Sequence, residues 1–557
     1  MALVAGTAPS AQTAPRGRRP IWCLAAGIVA GLVVLPVLAL GSEAIGGSLG
    51  LWSHLAGTIL PAALADTLLL LLGVGLIAGF LGVTLAWLVT AHDFPGRGIL
   101  EWALLLPLAV PTYIVAYAYL DILHPIGAFQ GAVRWILGYS SPREFRLPDI
   151  RSLAGCVLLL SLVLYPYVYL TTRAMFLSQS ANLLDAARTL GTPRRRLFRR
   201  VALPLARPAI AVGVSLTLME ALNDIGASEF LGVRTLTVSI YTTWVTKNDL
   251  AGATQIALLL LAIVVALVSF ERWARRRQGY VSGSRGRTMQ PERHDGLKGI
   301  GLCALGVLPV VFGFVVPAVY LAAEAWKRWR FAGLSDRLVG EAVDTLLYAG
   351  GATLLTLVLG VVAAFALRLS PGWTGPLIYR LATTGYAMPG TVVAIGVLLV
   401  VAPFDRLVDG AARDWFGVST GLLLIGSGTA LIYAYVVRFL AITAGSADAG
   451  LARVPKSLDD AARTLGRSAG GTLCAVHLPL TRASLAAGAL LVFVDCIKEL
   501  PATLLLRPLN METFATHLYG EAARGTYEEA SLAALAIVLI GILPVIVLSR
   551  VGRNPSS

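Results

Sequence analysis

Charge is scarce in this sequence. Asp, Glu, Lys and Arg make up 14% of its 557 residues, against roughly 25% in a soluble domain. That shortage excludes a string of soluble domains, and a 57% hydrophobic content excludes intrinsic disorder. Cysteine is scarcer still. The five (Cys23, Cys156, Cys303, Cys474 and Cys496) form no CxxC pair, so a disulfide framework is excluded and small buried residues are expected. The six histidines are His54, His92, His124, His294, His477 and His517, and no two have metal-ligand spacing on one helix. A structural or loop role is expected of each, and no metal site is assigned. The phosphate-binding pattern GxxxxGK[ST] is missing, so ATP hydrolysis is not expected of this chain. Gly73, Gly75 and Gly79 lie in an apolar run and read as helix packing rather than a nucleotide turn. No Ser/His/Asp or Cys/His arrangement suggests an enzyme.

What fills the sequence is apolar runs of roughly 20 residues, the length that crosses a bilayer. The expected architecture is an all-α polytopic membrane protein with about 12 spans. They fall near 21–40, 66–90, 100–122, 152–175, 208–229, 252–270, 299–322, 344–368, 380–402, 420–442, 484–506 and 530–550. The run from Ile21 to Leu40 follows Arg16, Arg18 and Arg19 but is long and lacks a clear cleavage site. It is read as a retained first helix. The net charge of +14 is concentrated between runs. Arg194, Arg195, Arg196, Arg199 and Arg200 form one cluster, and Arg272, Arg275, Arg276, Arg277, Arg285, Arg287 and Arg293 another. This is the pattern of cytoplasmic loops, not of a nucleic-acid surface. It puts both termini in the cytoplasm.

The chain repeats itself. Asp185-Ala186-Ala187-Arg188-Thr189-Leu190-Gly191 returns 275 residues later as Asp460-Ala461-Ala462-Arg463-Thr464-Leu465-Gly466. At the same offset Leu203-Pro204-Leu205 returns as Leu478-Pro479-Leu480, and 278 residues separate Asp66-Thr67-Leu68-Leu69 from Asp344-Thr345-Leu346-Leu347. Two six-helix units of equal orientation follow, at 1–270 and 299–557, joined by a basic linker at 271–298. In each repeated loop the Ala-rich part is expected to form a short helix ended by the glycine. A second short helix follows, which Pro204 and Pro208 are expected to break before the next span.

Acidic residues recur inside the spans after these loops. Glu220 and Asp224 in the first half match Asp495 and Glu499 in the second. The i, i+4 spacing puts each pair on one helix face. A carboxylate at that depth costs a few kcal/mol and faces a cavity or a partner. A pathway or gate role and a structural polar network both fit. In the second case Lys498 is the neighbour that neutralises Glu499. Pro107 and Pro111 interrupt the third span, and Pro389 with Gly390 the ninth. Paired breaks mark pathway-lining segments, and simple kinking for packing fits as well.

The duplicated loop resembles the EAA loop of permease subunits of binding-protein-dependent ABC importers, with Asp185 and Asp460 in place of the leading Glu. The stretch Lys498-Glu499-Leu500-Pro501-Ala502-Thr503, with Leu106-Pro107 to Tyr119 and Gly385 to Ala394, resembles the fused two-half permeases of ferric-iron importers. The resemblance implies the type I permease fold. It implies that Asp185, Ala186, Ala187, Gly191, Leu203, Pro204, Asp460, Ala461, Ala462, Gly466, Leu478 and Pro479 form two loops coupled to a separate nucleotide-binding ATPase dimer, which carries the ATP. It further implies an extracytoplasmic ferric-iron-binding protein as partner and a location in a bacterial inner membrane. Oxygen ligands suit Fe(III). Tyr113, Tyr117, Pro111 and Pro389, with the acids and Lys498, are the candidate pathway or gate residues. Thiamine, sulfate or phosphonate permeases are the alternatives within the class. A carrier driven by an ion gradient is the alternative outside it.

Overall fold

The computed structural model describes residues 19–46, 49–178, 194–276, 291–333, 335–370 and 372–551. The protein is an all-α polytopic membrane protein. Among the described residues eleven helices are long and apolar enough to span a bilayer, and the pair Arg97–Ala109 and Thr112–Ile122, bent by 89°, makes twelve when it is counted as one broken span rather than a re-entrant loop. That bend lies at Val110 and Pro111, where the third span was expected to be interrupted. The ninth span likewise starts afresh at Gly390, behind Pro389.

The helices form because Leu, Ala and Val fill them and because every backbone polar group in lipid must be satisfied within its own segment. Their close packing relies on glycine. A side chain at Gly82 would reach within 2.5 Å of Val168 and 2.9 Å of the Tyr169 nitrogen. One at Gly360 would stand 2.5 Å from Thr443 and 2.8 Å from the Ala444 nitrogen. The two contacts occupy matching places in the repeat, so the duplication extends to which helices touch.

Contacts gather the chain into two units of non-contiguous segments. One comprises Met1–Val34, Leu354–Tyr386 and Phe439–Ala489, and the other Leu35–Thr353, Ala387–Arg438 and Leu490–Ser557. In the second unit a tertiary hydrogen bond is itself repeated. The Thr67 hydroxyl accepts the Leu236 N–H at 2.9 Å, and Thr345 accepts that of Phe514 at 2.9 Å. The same unit holds a two-residue parallel strand pair, His92–Asp93 with Glu292–Arg293.

Two expectations change. The spans placed at 208–229 and 484–506 end early, at Asn223 and Ile497, and Asp224 and Glu499 lie beyond those ends. Asp224 is extended (φ −68°, ψ 127°), so it does not share a helix face with Glu220. Each carboxylate instead captures N–H groups of the turn that follows. Nor do Pro204 and Pro208 break a helix, since both lie within the continuous helix Leu203–Asn223. Pro204 and its match Pro479 each follow a π-helical turn, Phe198–Ala202 or Leu473–His477, in which the next N–H reaches back five residues. The wider turn absorbs the N–H that proline lacks, so the helix runs on into the span.

Candidate functional site

The second unit holds a polar break where two helices stop. After the helix Leu203–Asn223, one Asp224 oxygen accepts the Ser228 N–H at 2.8 Å and the Ser228 hydroxyl at 2.9 Å. The other accepts the Thr112 hydroxyl at 2.5 Å, and Thr112 opens the helix that Pro111 precedes. After the helix Leu478–Ile497, Glu499 repeats the arrangement. Its oxygens accept the Ala502 and Thr503 N–H groups, both at 3.0 Å, and the Thr503 hydroxyl at 2.8 Å. From one residue before the N-cap positions Ile225 and Leu500, the carboxylates therefore satisfy first-turn N–H groups of the short helices Gly226–Phe230 and Pro501–Leu506.

Their outer partners differ. Glu499 is paired with the Arg438 guanidinium at 2.5 Å, both nearly inaccessible. The matching position in the first half is Val163. Gly390 makes room for this pair, because a Cβ there would lie 2.5 Å from Arg438 Nη1 and 2.6 Å from Glu499 Oε1. The Gly390 N–H donates to Asn223 Oδ1 at 2.7 Å, so the break in the first half caps a helix of the second. Lys498 does not neutralise Glu499. It pairs with Asp495 at 3.0 Å, and both remain partly exposed. Glu220 lies within electrostatic reach of Asp495, Lys498, Arg438 and Asp224.

Tyr113 is buried beside this break, with its hydroxyl 3.5 Å from the Lys498 carbonyl oxygen. Tyr117 is packed elsewhere, stacked on Tyr527 at 5.9 Å and edge-on to Tyr320 at 6.3 Å. Arg438 and Thr112 escaped the sequence reading. An arginine within the apolar run 431–440 was the available signal, because an intramembrane cation requires a partner.

The first unit contains the second of the two repeated loops. Its helix Lys456–Thr464 carries Asp460, Ala461 and the buried Ala462. It ends in a Schellman motif at Gly466 (φ +76°), where the Arg467 N–H reaches the Ala462 carbonyl and the Gly466 N–H that of Arg463. Leu465 projects from the turn, 83% exposed. Ser468 caps the next helical turn, which enters the span through Leu478 and Pro479.

A network missed in the sequence holds this loop. Asp459 accepts from Arg368 at 3.0 Å and from His477 at 2.6 Å, while Arg368 also donates to the carbonyls of Leu451 and Val454. Burial pushes the Asp459 carboxyl up, but the bonds and charges of Arg368 and His477 outweigh it and hold it below the usual carboxylate range. Of the first loop, Leu203 and Pro204 are described. Asp185, Ala186, Ala187 and Gly191 lie outside the described residues.

The family model for the binding-protein-dependent transport system inner membrane component matches this chain twice, over residues 78–280 and 356–554. The chain belongs to that family. It is a transmembrane permease subunit of an ABC importer, a transport component and not an enzyme. Among curated relatives, an Fe(3+)-transport system permease protein of Haemophilus influenzae is 23% identical over 87% of this permease and 89% of its own length. A molybdenum transport system permease protein of Escherichia coli is 29% identical over 35% of this permease and 84% of its own length. A probable sulfate transport system permease protein of Chlorokybus atmophyticus is 28% identical over 44% and 85%. The permease thus carries the family's inner-membrane component twice in one chain, and the family implies an ATPase partner and a solute-binding protein.

Proposed function

We propose that this permease moves ferric iron, delivered by an extracytoplasmic iron-binding protein, into the cytoplasm by alternating access. The observation that carries the reading is the near end-to-end similarity to an Fe(3+) permease, whereas the molybdenum and sulfate relatives match 35% and 44% of the chain. The charge at the polar break favours the same cargo. Glu220, Asp224, Asp495 and Glu499 bring four carboxylates there, against the two cations Arg438 and Lys498. A pathway for an oxyanion calls for the opposite balance.

In this reading residues 1–270 and 299–557 are the two six-helix repeats around the linker 271–298, and the chain lies in a bacterial inner membrane with both termini cytoplasmic. The loops around Asp185 to Gly191 and Asp460 to Gly466 dock on a nucleotide-binding ATPase dimer. Leu465 is the exposed apolar group that the second loop offers to a partner groove. ATPase closure draws the loops together and shifts the helices that end at Asn223 and Ile497. The partly exposed Asp495–Lys498 pair and Glu220 meet the ion, while Asp224 and Glu499 hold the break in shape.

The test is uptake of labelled Fe(III) by cells lacking this chain, with the chain restored. Restored uptake that is lost when Gly191 and Gly466 are both replaced by Val supports cargo and coupling together. Restored uptake of molybdate or sulfate without iron would sink the iron assignment and leave the permease standing.

A further inference from the structure

Residues 202 apart in sequence meet at the end of the helix Leu60–Ala91. His92 Nδ1 stands 3.0 Å from His294 Nε2. The rings are tilted by 41° with centroids 5.0 Å apart, so the nitrogens face each other and the rings do not stack. Glu292 joins them, and one ligand atom from each of His92, Glu292 and His294 lies within 4.8 Å of the others.

The backbone fixes this arrangement. The strand His92–Asp93 pairs in parallel with Glu292–Arg293, with His92 opposite Glu292. The His294 N–H donates to the Asp93 carbonyl at 2.8 Å. Gly299 allows the His294 backbone to approach, since a Cβ there would come within 2.4 Å of the His294 carbonyl oxygen and 3.0 Å of Pro95. His294 is buried and His92 half-buried, while Glu292 is exposed.

We propose that His92, His294 and Glu292 form a binding site for a divalent first-row transition-metal ion, separate from the polar break. Two imidazoles and one carboxylate are the donor set of borderline ions such as Zn²⁺, Co²⁺ and Fe²⁺ rather than of Mg²⁺ or Ca²⁺. Two imidazole nitrogens bound to one tetrahedral Zn²⁺ stand roughly 3.3 Å apart, so the pair needs to open by only a few tenths of an ångström. The exposed side leaves a coordination position for water. Lys298 lies within electrostatic reach of His92, which further disfavours weakly held hard cations. The ion clips the segment that leads into the second half onto the first half. The position matching His92 in the second half is Ser370, which is hydrogen-bonded to Cys23 at 2.8 Å, so the clip belongs to one half alone.

The experiment is a titration of the purified, chelator-treated full-length chain in detergent micelles with Co²⁺ alone. The expected result is saturable binding at one equivalent with visible ligand-field absorption, abolished by excess Zn²⁺ and unaffected by excess Mg²⁺. His92→Gln and His294→Asn, which keep polar side chains of similar reach, each remove the absorption. The exposed Glu292→Gln weakens binding while leaving the elution profile of the protein unchanged, and Ser370→Ala has no effect. Absence of binding to the unaltered chain, or equal binding by the His92→Gln/His294→Asn double variant, overturns the proposal. The contact is then a hydrogen bond between imidazoles.

Discussion

The two halves of this permease share a backbone device and surround it with different chemistry. Asp224 and Glu499 cap matching short helices through matching bonds to Ser228 and Thr503. Around Asp224 the further donor is the neutral Thr112, whereas Glu499 has the Arg438 guanidinium. The pattern recurs in two other places. Arg368, Asp459 and His477 form a charged network where the first half has Thr90, Leu184 and Ala202 in sequence. Glu341 and His517 stand 2.9 Å apart where the first half has Ala63 and Ser239. At these sites the second half carries ion pairs where the first has neutral residues, although among the described residues the first half has a charged cluster of its own in Arg97, Glu101 and Arg173. A buried ion pair penalises any state that separates its members more heavily than a neutral bond does. At these sites the second half is therefore the more costly of the two to pull apart.

The strongest way to break this comparison is Arg438→Leu. It strands a buried carboxylate and costs about 3–5 kcal/mol, read as a large fall in the thermal midpoint of the purified protein. Combining it with Glu499→Gln restores most of that loss, because the second change removes the stranded charge. Equal losses for the single and double variants would show that the pair is not the source of the effect.

Thr112→Val removes a bond to a carboxylate in the first half and costs about 1.5–3 kcal/mol. If it proved as damaging as Arg438→Leu, the halves would be energetically alike.

Asp459→Asn costs about 1–2 kcal/mol, the lower part of the range for charge-assisted bonds because the loop is partly wet. The folded Asp459 pKa lies below its unfolded value. Its stabilisation is thus full above the ordinary carboxylate range and lost as pH falls through the folded pKa. The gap between wild type and Asp459→Asn in denaturation midpoint stays level near neutrality and closes only in acid.

His517 gives the opposite slope. Burial pushes its imidazole down, but Glu341 outweighs this and holds the pKa above the ordinary value. Its stabilisation is full below the ordinary imidazole range and fades as pH rises through the folded pKa. His517→Ser, which copies the first half, removes that dependence from a pH series of melting curves. Gly466→Ala is the mildest change, costing about 1 kcal/mol for a left-handed residue that acquires a Cβ.

Much of the fold was legible because its signals are local. Apolar runs marked the spans, and Pro111 and Pro389 marked where two of them break. The helix ends at Asn223 and Ile497 were not legible. Apolar residues resume after both, at Ile225 and Leu500, and the helix stops because a side chain one or two residues on captures the next turn's N–H groups. The prolines after the repeated loops misled for a related reason. A π-helical turn upstream leaves no trace in periodicity, yet it removes the conflict that would have ended the helix.

By itself the sequence determined the class of protein and the duplication, since hydropathy and repeated identity act over short stretches of chain. Only the tertiary structure decided which charge answers which. Lys498 was adjacent to Glu499 but pairs with Asp495, and the cation that meets Glu499 comes from Arg438, 61 residues away. His92 and His294 meet across 202 residues. An ionic or ligating partner is selected by the position of the whole helix that carries it, and that position is set by packing far along the chain.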